Sequence, residues 1–587
     1  MPGRSAPLIQ NVLSRSLRSL SGAWRIIVDP YENGYYDYRR EPLAKDGYFA
    51  DAKPASPSDR VEYDFDRAET LAVPGDWNSQ RKELFLYEGT VWYRTRFEAA
   101  PAPGRRRFLR FGAANQTAQV WVNGAEAGFH RGGFTPFDVE VTELLRPGAN
   151  SVVVKVDSTR RREGVPTLNT DWWNYGGLTR DVLLVDVPGT FLRDYVLQLD
   201  PRDPTRLAGF VQLDGPARRQ AVTVRLPEAG LSVTVQTDET GFAPVELRGE
   251  VERWSPERPR LHAVELEAET DRVGDRIGFR TIEVRGAELL LNGEPIFLRG
   301  ISLHEQAPLR EGRSHGAAVA RTLLGWAQEL GANFVRLAHY PHDEHTVRAA
   351  DALGLLVWAE IPVYWTIDWE NPDTLEDART QLTELITRDR NRASVILWSM
   401  GNETPRSEPR LRFMRALVQA ARGLDATRLV SAALEQREVE PLVQRIDDPL
   451  GAELDVLGCN EYLGWYIGLP DRPDGVRWET PYDRPLVVTE LGADALAGHH
   501  GDARTRWTEE YQADVYVHQL RMLEGIPFLR GMSPWILADF RSPRRHLPGI
   551  QDGWNRKGLI SDQGVRKQAF FILQAHYRSL AERWRKK

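Results

Sequence analysis

Two acidic residues close apolar, strand-like runs: Glu403 in VILWSMGNE and Glu490 in PLVVTE. Two carboxyl groups brought to one place can divide the work of glycoside hydrolysis. One protonates the leaving oxygen, and the other attacks the anomeric carbon or activates water. Burial and mutual repulsion would raise the pKa of the acid member. The rival reading, from position alone, is two unrelated carboxylates paired with arginines. A third stretch, GWNRKGL at 553–559, places Asn555 and Lys557 two residues apart in a loop rich in glycine and charge. By itself that triplet reads as a solvated loop.

Elements must carry these residues to one place. From about residue 284, apolar runs at 296–302, 333–338, 355–361, 395–400, 428–433, 455–460, 485–490 and 529–535 alternate with helical patterns. Leu375, Ala378, Leu382, Leu385 and Ile386, for example, fall on one helical face. Eight strands with mostly helical connections predict a (β/α)₈ TIM barrel, with a doubly wound sheet as the alternative. A barrel gathers its active site at the carboxyl ends of its strands. That places Asn402, Glu403 and Glu490 on one rim. Upstream, RFLRFG (106–111), QVWVNG (119–124) and SVVVKV (151–156) alternate or are β-branched, and Asn123-Gly124 is a hairpin signal. The organisation expected is a β-sandwich over 1–188, an immunoglobulin-like β-sandwich over 189–283 and the barrel over 284–587.

Bulk properties bound the partners. The chain has 587 residues, enough for about three domains, and is 41% hydrophobic and 27% charged. A net charge of −7 without a long block of one sign argues against nucleic acid and anionic membrane surfaces. No apolar run approaches a membrane span. The first twenty residues lack an apolar h-region, which predicts a cytoplasmic protein, or a secreted or periplasmic one whose leader has been removed. Cys459, the single cysteine, reads as a buried structural thiol. Neither zinc spacing nor a phosphate loop is present, so no metal or organic cofactor is expected. Eighteen tryptophans and eighteen tyrosines suit large cores or sugar stacking, and composition does not choose between them.

The runs WSMGNE, TELGADALAGHH, TEEYQ and PWILADF resemble glycoside hydrolase family 2 and, within it, the β-glucuronidases. The resemblance covers the whole chain and implies a jelly-roll sandwich, an immunoglobulin-like sandwich and a catalytic barrel. It implies a retaining exo-acting hydrolase of terminal β-linked glucuronic acid. Glu403 would be the acid/base, Glu490 the nucleophile, and Asn402 a donor to the sugar 2-hydroxyl. Asp171 in TDWWNYGG would reach into the barrel mouth, and His339 in RLAHYP would stand beside the sugar. Asn460, Tyr462 and Tyr466 in CNEYLGWY would contact sugar and nucleophile, and Trp535 at the end of the eighth strand would floor the site. Asn555 and Lys557 would hold the substrate carboxylate. A dimer or tetramer is the form relatives often take.

Departures from the family pattern are Thr404, Leu491 and Gln551, where proline, tyrosine and arginine are usual. Arg541, Arg544 or Arg545 in FRSPRR could replace the last charge. The short segment from Ile361 to Ser394 leaves no room for a long lid, which suggests an open site tolerant of larger substrates. The alternatives are a family 2 enzyme acting on galacturonic acid or galactose and, more remotely, a non-catalytic carbohydrate-binding protein.

Overall fold

The structure, a computed structural model, describes residues 6–43 and 54–585. The first five residues of the segment considered for a leader lie outside that range. No helix among the described residues is long and apolar enough to cross a membrane.

The N-terminal unit packs a six-stranded antiparallel sheet on a four-stranded one. Strand Gly148–Asp157 shows why these residues make a sandwich. Val152, Val154 and Val156 alternate inward to a core with Trp24, Trp77, Tyr93 and Phe111. Val153 points the other way, against Phe65, Trp92 and Trp121. The Asn123-Gly124 signal is a two-residue hairpin turn between Thr117–Val122 and Ala125–Arg131, with φ of 53° and 88° at its two residues. A second sandwich follows, with three- and four-stranded antiparallel sheets spanning Phe191 to Ile277. Its strands alternate buried and exposed residues, as in Phe242–Arg248.

The C-terminal unit is a closed parallel barrel of eight strands. They are β1 (Leu298–Leu303), β2 (Phe334–Leu337), β3 (Leu356–Glu360) and β4 (Val395–Asn402). Then come β5 (Leu429–Leu434), β6 (Leu457–Asn460), β7 (Leu486–Glu490) and β8 (Leu529–Met532). The outer helices include α1 (Gly316–Leu330), α2 (Glu344–Leu353), α3 (Pro372–Asp389) and α4 (Glu408–Leu424). Capping side chains start α2, α3 and α4. Asn371 accepts from the Asp373 N–H, and Ser407 from the Arg410 N–H. On α3, Ala378, Leu382, Leu385 and Ile386 are buried against the barrel, and Leu375 packs at its edge.

Strand alternation sets the interior. In β2, Val335 and Leu337 face the helices while Phe334 and Arg336 face inward; in β3, Val357 and Ala359 face out while Leu356, Trp358 and Glu360 face in. Phe334, Leu356 and Trp358 fill the lower barrel. Arg336 and Glu360 sit one layer above, toward the carboxyl rim.

Three details differ from the sequence reading. No α-helix connects β5 to β6 or β6 to β7; a 3-10 turn at Pro449–Glu453 and a short sheet of Arg437–Glu440, Val443–Arg445 and Arg477–Glu479 lie there. Pro449 opens that 3-10 turn, and Pro470 and Pro473, with Gly464, Gly468 and Gly475 at positive φ, break helical continuity between β6 and β7. β4 runs through Asn402, whose N–H reaches the Val363 carbonyl at 2.9 Å, so only Glu403 lies beyond the strand. β8 stops at Met532, so Trp535 stands in the following turn, after Pro534, which has no N–H for the ladder.

Candidate active site

Glu403 leaves β4 with φ of 47°, and its N–H is fixed to the Ala433 carbonyl of β5 at 2.9 Å. Its Oε2 accepts from Trp365 Nε1 at 2.8 Å. Burial, then the charge of Glu490, push the Glu403 carboxyl up to about 7. It therefore carries a proton at a pH where most carboxyls have lost theirs.

Glu490 ends β7 in a different setting. Its Oε1 accepts from Arg336 Nη1 at 2.9 Å, and its Oε2 from the Tyr462 hydroxyl at 2.7 Å. Two donors thus meet its two oxygens, and charged hydrogen bonds of this kind are the stronger ones. Arg336 is 0% exposed and reaches several groups at once. Besides Glu490 it donates to Glu360 Oε1 at 3.0 Å, Asn402 Oδ1 at 2.8 Å and the Thr489 carbonyl at 3.1 Å. Burial pushes Glu360 up, but Arg336 and His339 prevail and hold it at about 2. Trp358 Nε1 completes the shell of Glu360 at 2.8 Å.

His339 lies past β2, with Nδ1 2.9 Å from Glu360 Oε1 and Nε2 3.7 Å from Glu490 Oε1. Its ring stacks on Trp535 at 4.7 Å. Asn402 gives its Oδ1 to Arg336 and to Asn460 Nδ2 at 3.2 Å. That leaves the buried Asn402 Nδ2 without a hydrogen-bond partner among the described residues. Asn460 is in turn oriented by Thr489 Oγ1 at 2.7 Å.

The loop after β8 builds the other wall. Lys557 is buried, forms an ion pair with Asp494 at 2.6 Å and donates to the Tyr466 hydroxyl at 2.9 Å. Gly558 follows because a Cβ there would lie 2.2 Å from the Asp539 nitrogen. Asn555 donates to Asp171 Oδ2 at 3.2 Å. Asp171 arrives from the first sandwich and also pairs with Ser542 and Arg545. Arg545 extends to the Tyr466 hydroxyl at 3.3 Å. Tyr466 meets the cations of this wall, while Tyr462 is the tyrosine hydrogen-bonded to Glu490. Trp172, next to Asp171, wedges beside His339, Tyr340 and Tyr364.

The departures have places too. Thr404 Oγ1 accepts from Arg410 Nε at 2.8 Å, and Arg410 pairs with Asp448 at 2.9 Å. Leu491 is buried and its carbonyl accepts from the Trp535 N–H at 2.9 Å. Gln551 is spent inside its own loop, accepting from the Leu547 N–H at 3.3 Å. Cys459 is buried, and burial raises its thiol pKa well above the ordinary value.

Sequence reasoning missed Arg336, Glu360, Trp365 and Asp494. For the first two a signal existed: a charge at an inward position of an otherwise apolar strand.

Residues 282–581 match the family model of the Glycosyl hydrolases family 2, TIM barrel domain, and residues 17–188 that of the Glycosyl hydrolases family 2, sugar binding domain. A β-glucuronidase of Paenibacillus borealis is 28% identical over 625 residues, covering 98% of each chain. A β-glucuronidase of Canis lupus familiaris is 28% identical, covering 97% of this chain and 91% of its own. Among solved structures, β-glucuronidase from an uncultured Clostridium sp. superposes with a TM-score of 0.82 at 25% identity, covering 98% of this chain and 100% of its own. Bifidobacterium dentium β-glucuronidase complexed with coumarin-3-O-glucuronide gives 0.83 at 25% identity, covering 98% and 99%.

Proposed function

The chain belongs to glycoside hydrolase family 2, and on that premise we propose that this glycoside hydrolase is a retaining exo-β-glucuronidase. Its substrate is a carbohydrate with a terminal β-linked glucuronic acid.

The two carboxyl groups differ as the reaction requires. Glu403, holding its proton to about 7, donates it to the glycosidic oxygen. Glu490, oriented by Arg336 and Tyr462, attacks C1 and forms the glycosyl–enzyme intermediate. The leaving group departs with Glu403's proton. Glu403, now a base, takes a proton from water, which attacks C1 and releases the sugar and Glu490. The unpaired Nδ2–H of Asn402 is suited to the sugar 2-hydroxyl. Asp171 is placed for other hydroxyls, His339 and Trp535 for the sugar's flank, and Asn460 for the orientation of Asn402.

The uronate preference rests on one observation. Lys557 and Arg545 both donate to the Tyr466 hydroxyl, so two cations converge on one phenol oxygen. Two converging cations fit a carboxylate, with the amide of Asn555 as a further donor. Lys557 and Arg545 keep their own counter-ions, Asp494 and Asp171, and a neutral sugar offers no charge to the donors they turn toward Tyr466, so it is disfavoured. Arg545 supplies the charge that Gln551 lacks.

The test is a panel of p-nitrophenyl β-glycosides: glucuronide, galacturonide, glucoside and galactoside. Release should be fastest from the glucuronide. No release from any member overturns the hydrolase assignment for this chain, and release from galactoside alone overturns the uronate reading. Faster release from galacturonide keeps the carboxylate contacts and reassigns the C4 configuration.

A further inference from the structure

Three arginines crowd the loop after β8, and their surroundings differ. Arg541 pairs with Glu311 and donates to the Asp552 carbonyl at 3.0 Å. Arg545 pairs with Asp171. Arg544 is exposed, and among the described residues it meets no carboxylate. Its guanidinium donates to the neutral Asn169 Oδ1 at 2.5 Å and lies over the Trp365 ring, 4.9 Å from the centroid. Its backbone N–H is fixed to Ser542 Oγ at 3.2 Å, and Ser542 is bound to Asp171.

Trp365 gives this arginine its significance. The indole N–H edge is on the Glu403 carboxyl at 2.8 Å, while its face carries Arg544. One indole therefore separates the proton donor from an unneutralised cation. The group that accepts Glu403's proton is the leaving group, so the leaving group must lie beside Glu403. Trp365 itself is pinned from behind. Its backbone N–H is on the Asn402 carbonyl at 3.0 Å, and its ring packs on Tyr364 at 4.4 Å. An indole fixed in this way is a platform, and a guanidinium at its rim presents a planar fork to carboxylate or sulfate oxygens.

We propose that Trp365, Arg544 and Asn169 form a leaving-group subsite that selects an aglycone bearing an anionic substituent, a carboxylate or a sulfate. This rests on the glucuronidase reading above and adds to it the class of the leaving group: an acidic sugar residue or an acidic aryl group. The carboxylate that Lys557 and Arg545 face belongs to the sugar ring, so the two anions of such a substrate meet different cations.

The probes are p-nitrophenyl β-glucuronide and its 3-carboxy-4-nitrophenyl counterpart, whose leaving groups differ by one carboxylate. For the intact enzyme at low salt, KM should be lower for the carboxylated substrate. Arg544→Ala should raise the ratio of the two KM values about fivefold, the scale of a solvent-exposed ion pair. Arg544→Lys should restore most of the preference, and added salt should erode it. An equal change of both KM values overturns the subsite. A shift of the alkaline limb of the pH–rate profile in Arg544→Ala also overturns it, because the arginine would then act through Trp365 on Glu403. A sulfated aryl β-glucuronide in a second arm separates carboxylate from sulfate recognition. Turnover of p-nitrophenyl β-glucuronide without discrimination leaves the glucuronidase reading intact and removes the subsite. Absence of any turnover removes both.

Discussion

Lys557 Nζ stands 2.6 Å from Asp494 Oδ2, and each side chain is only 1% exposed. The Lys557 ammonium in the loop after β8 is thus held by a buried counter-ion four residues beyond Glu490. Removing one partner of such a pair leaves an uncompensated charge, so Lys557→Ala should cost about 3–5 kcal/mol of stability. Lys557→Ala/Asp494→Asn should recover much of it. Both variants should lose activity on p-nitrophenyl β-glucuronide far more than on the glucoside. Chemical denaturation and a two-substrate assay measure the two effects separately. Equal losses on both sugars from the stable double variant would show that the lysine is structural.

On the proposed mechanism, Glu403 should set the alkaline side of the pH profile. Its carboxyl must hold a proton for the first step, and it does so up to about 7. Activity should therefore be full on the acid side of this limb and fall as pH rises through about 7, in kcat/KM. Glu403→Gln should abolish that limb. It should slow alkyl glycosides far more than aryl glycosides with good leaving groups. A limb that survives in the variant would assign it to another group.

Glu490→Gln should lower kcat by several orders of magnitude, as expected for a lost nucleophile. Tyr462→Phe removes one of its two donors, at 2.7 Å. A charged hydrogen bond of about 1.5–3 kcal/mol implies a fall of roughly 10- to 150-fold in kcat/KM. Proton NMR of early product should show the β anomer, and an initial α product would replace the covalent intermediate by direct attack of water. Near-normal kcat in Glu490→Gln would refute the nucleophile assignment.

Glu461 offers a prediction about stability. Its Oε2 accepts from the Leu463 N–H at 2.9 Å, its Oε1 has no partner among the described residues, and burial pushes the carboxyl up to about 8. The unfolded chain releases this proton near its ordinary value, about 4.3. Stability is then complete below about 4.3 and is lost as pH rises toward about 8, by an amount on the order of a few kcal/mol. Glu461→Gln cannot ionise, so its Tm should gain on the parent between pH 5 and 8. A constant Tm difference across that range would contradict the argument.

Much of this architecture was legible because it is local. Apolar runs marked the barrel strands, Asn123-Gly124 marked its hairpin, and Glu403 and Glu490 sat at the ends of runs that close into one barrel. The family resemblance added Asp171, Asn402, Asn555 and Lys557. What escaped is relational. Arg336 and Glu360 lie 24 residues apart in sequence, and their pairing depends on both strands turning the same alternation inward. The charge was visible in each strand, but its partner was not. Arg541, Arg544 and Arg545 are close together in one loop, yet each meets a different carboxylate or none. Contacts fixed by three elements at once leave no periodic trace in any one of them. The prolines and glycines between β5 and β7 did carry a trace, and they account for the missing helices.

Ser542 and Asp171 share a hydrogen bond across 371 positions of chain. During synthesis the first sandwich emerges early, and Asp171 then waits for the loop after β8. At ribosomal speeds that interval is roughly 20–70 s. A nascent chain stopped between Glu490 and this loop carries Glu403 and Glu490 but neither Lys557 nor the last wall of the site. Catalysis therefore begins only when translation is nearly finished, and hydrolysis of substrate by ribosome-bound chains of graded length would time the moment of assembly.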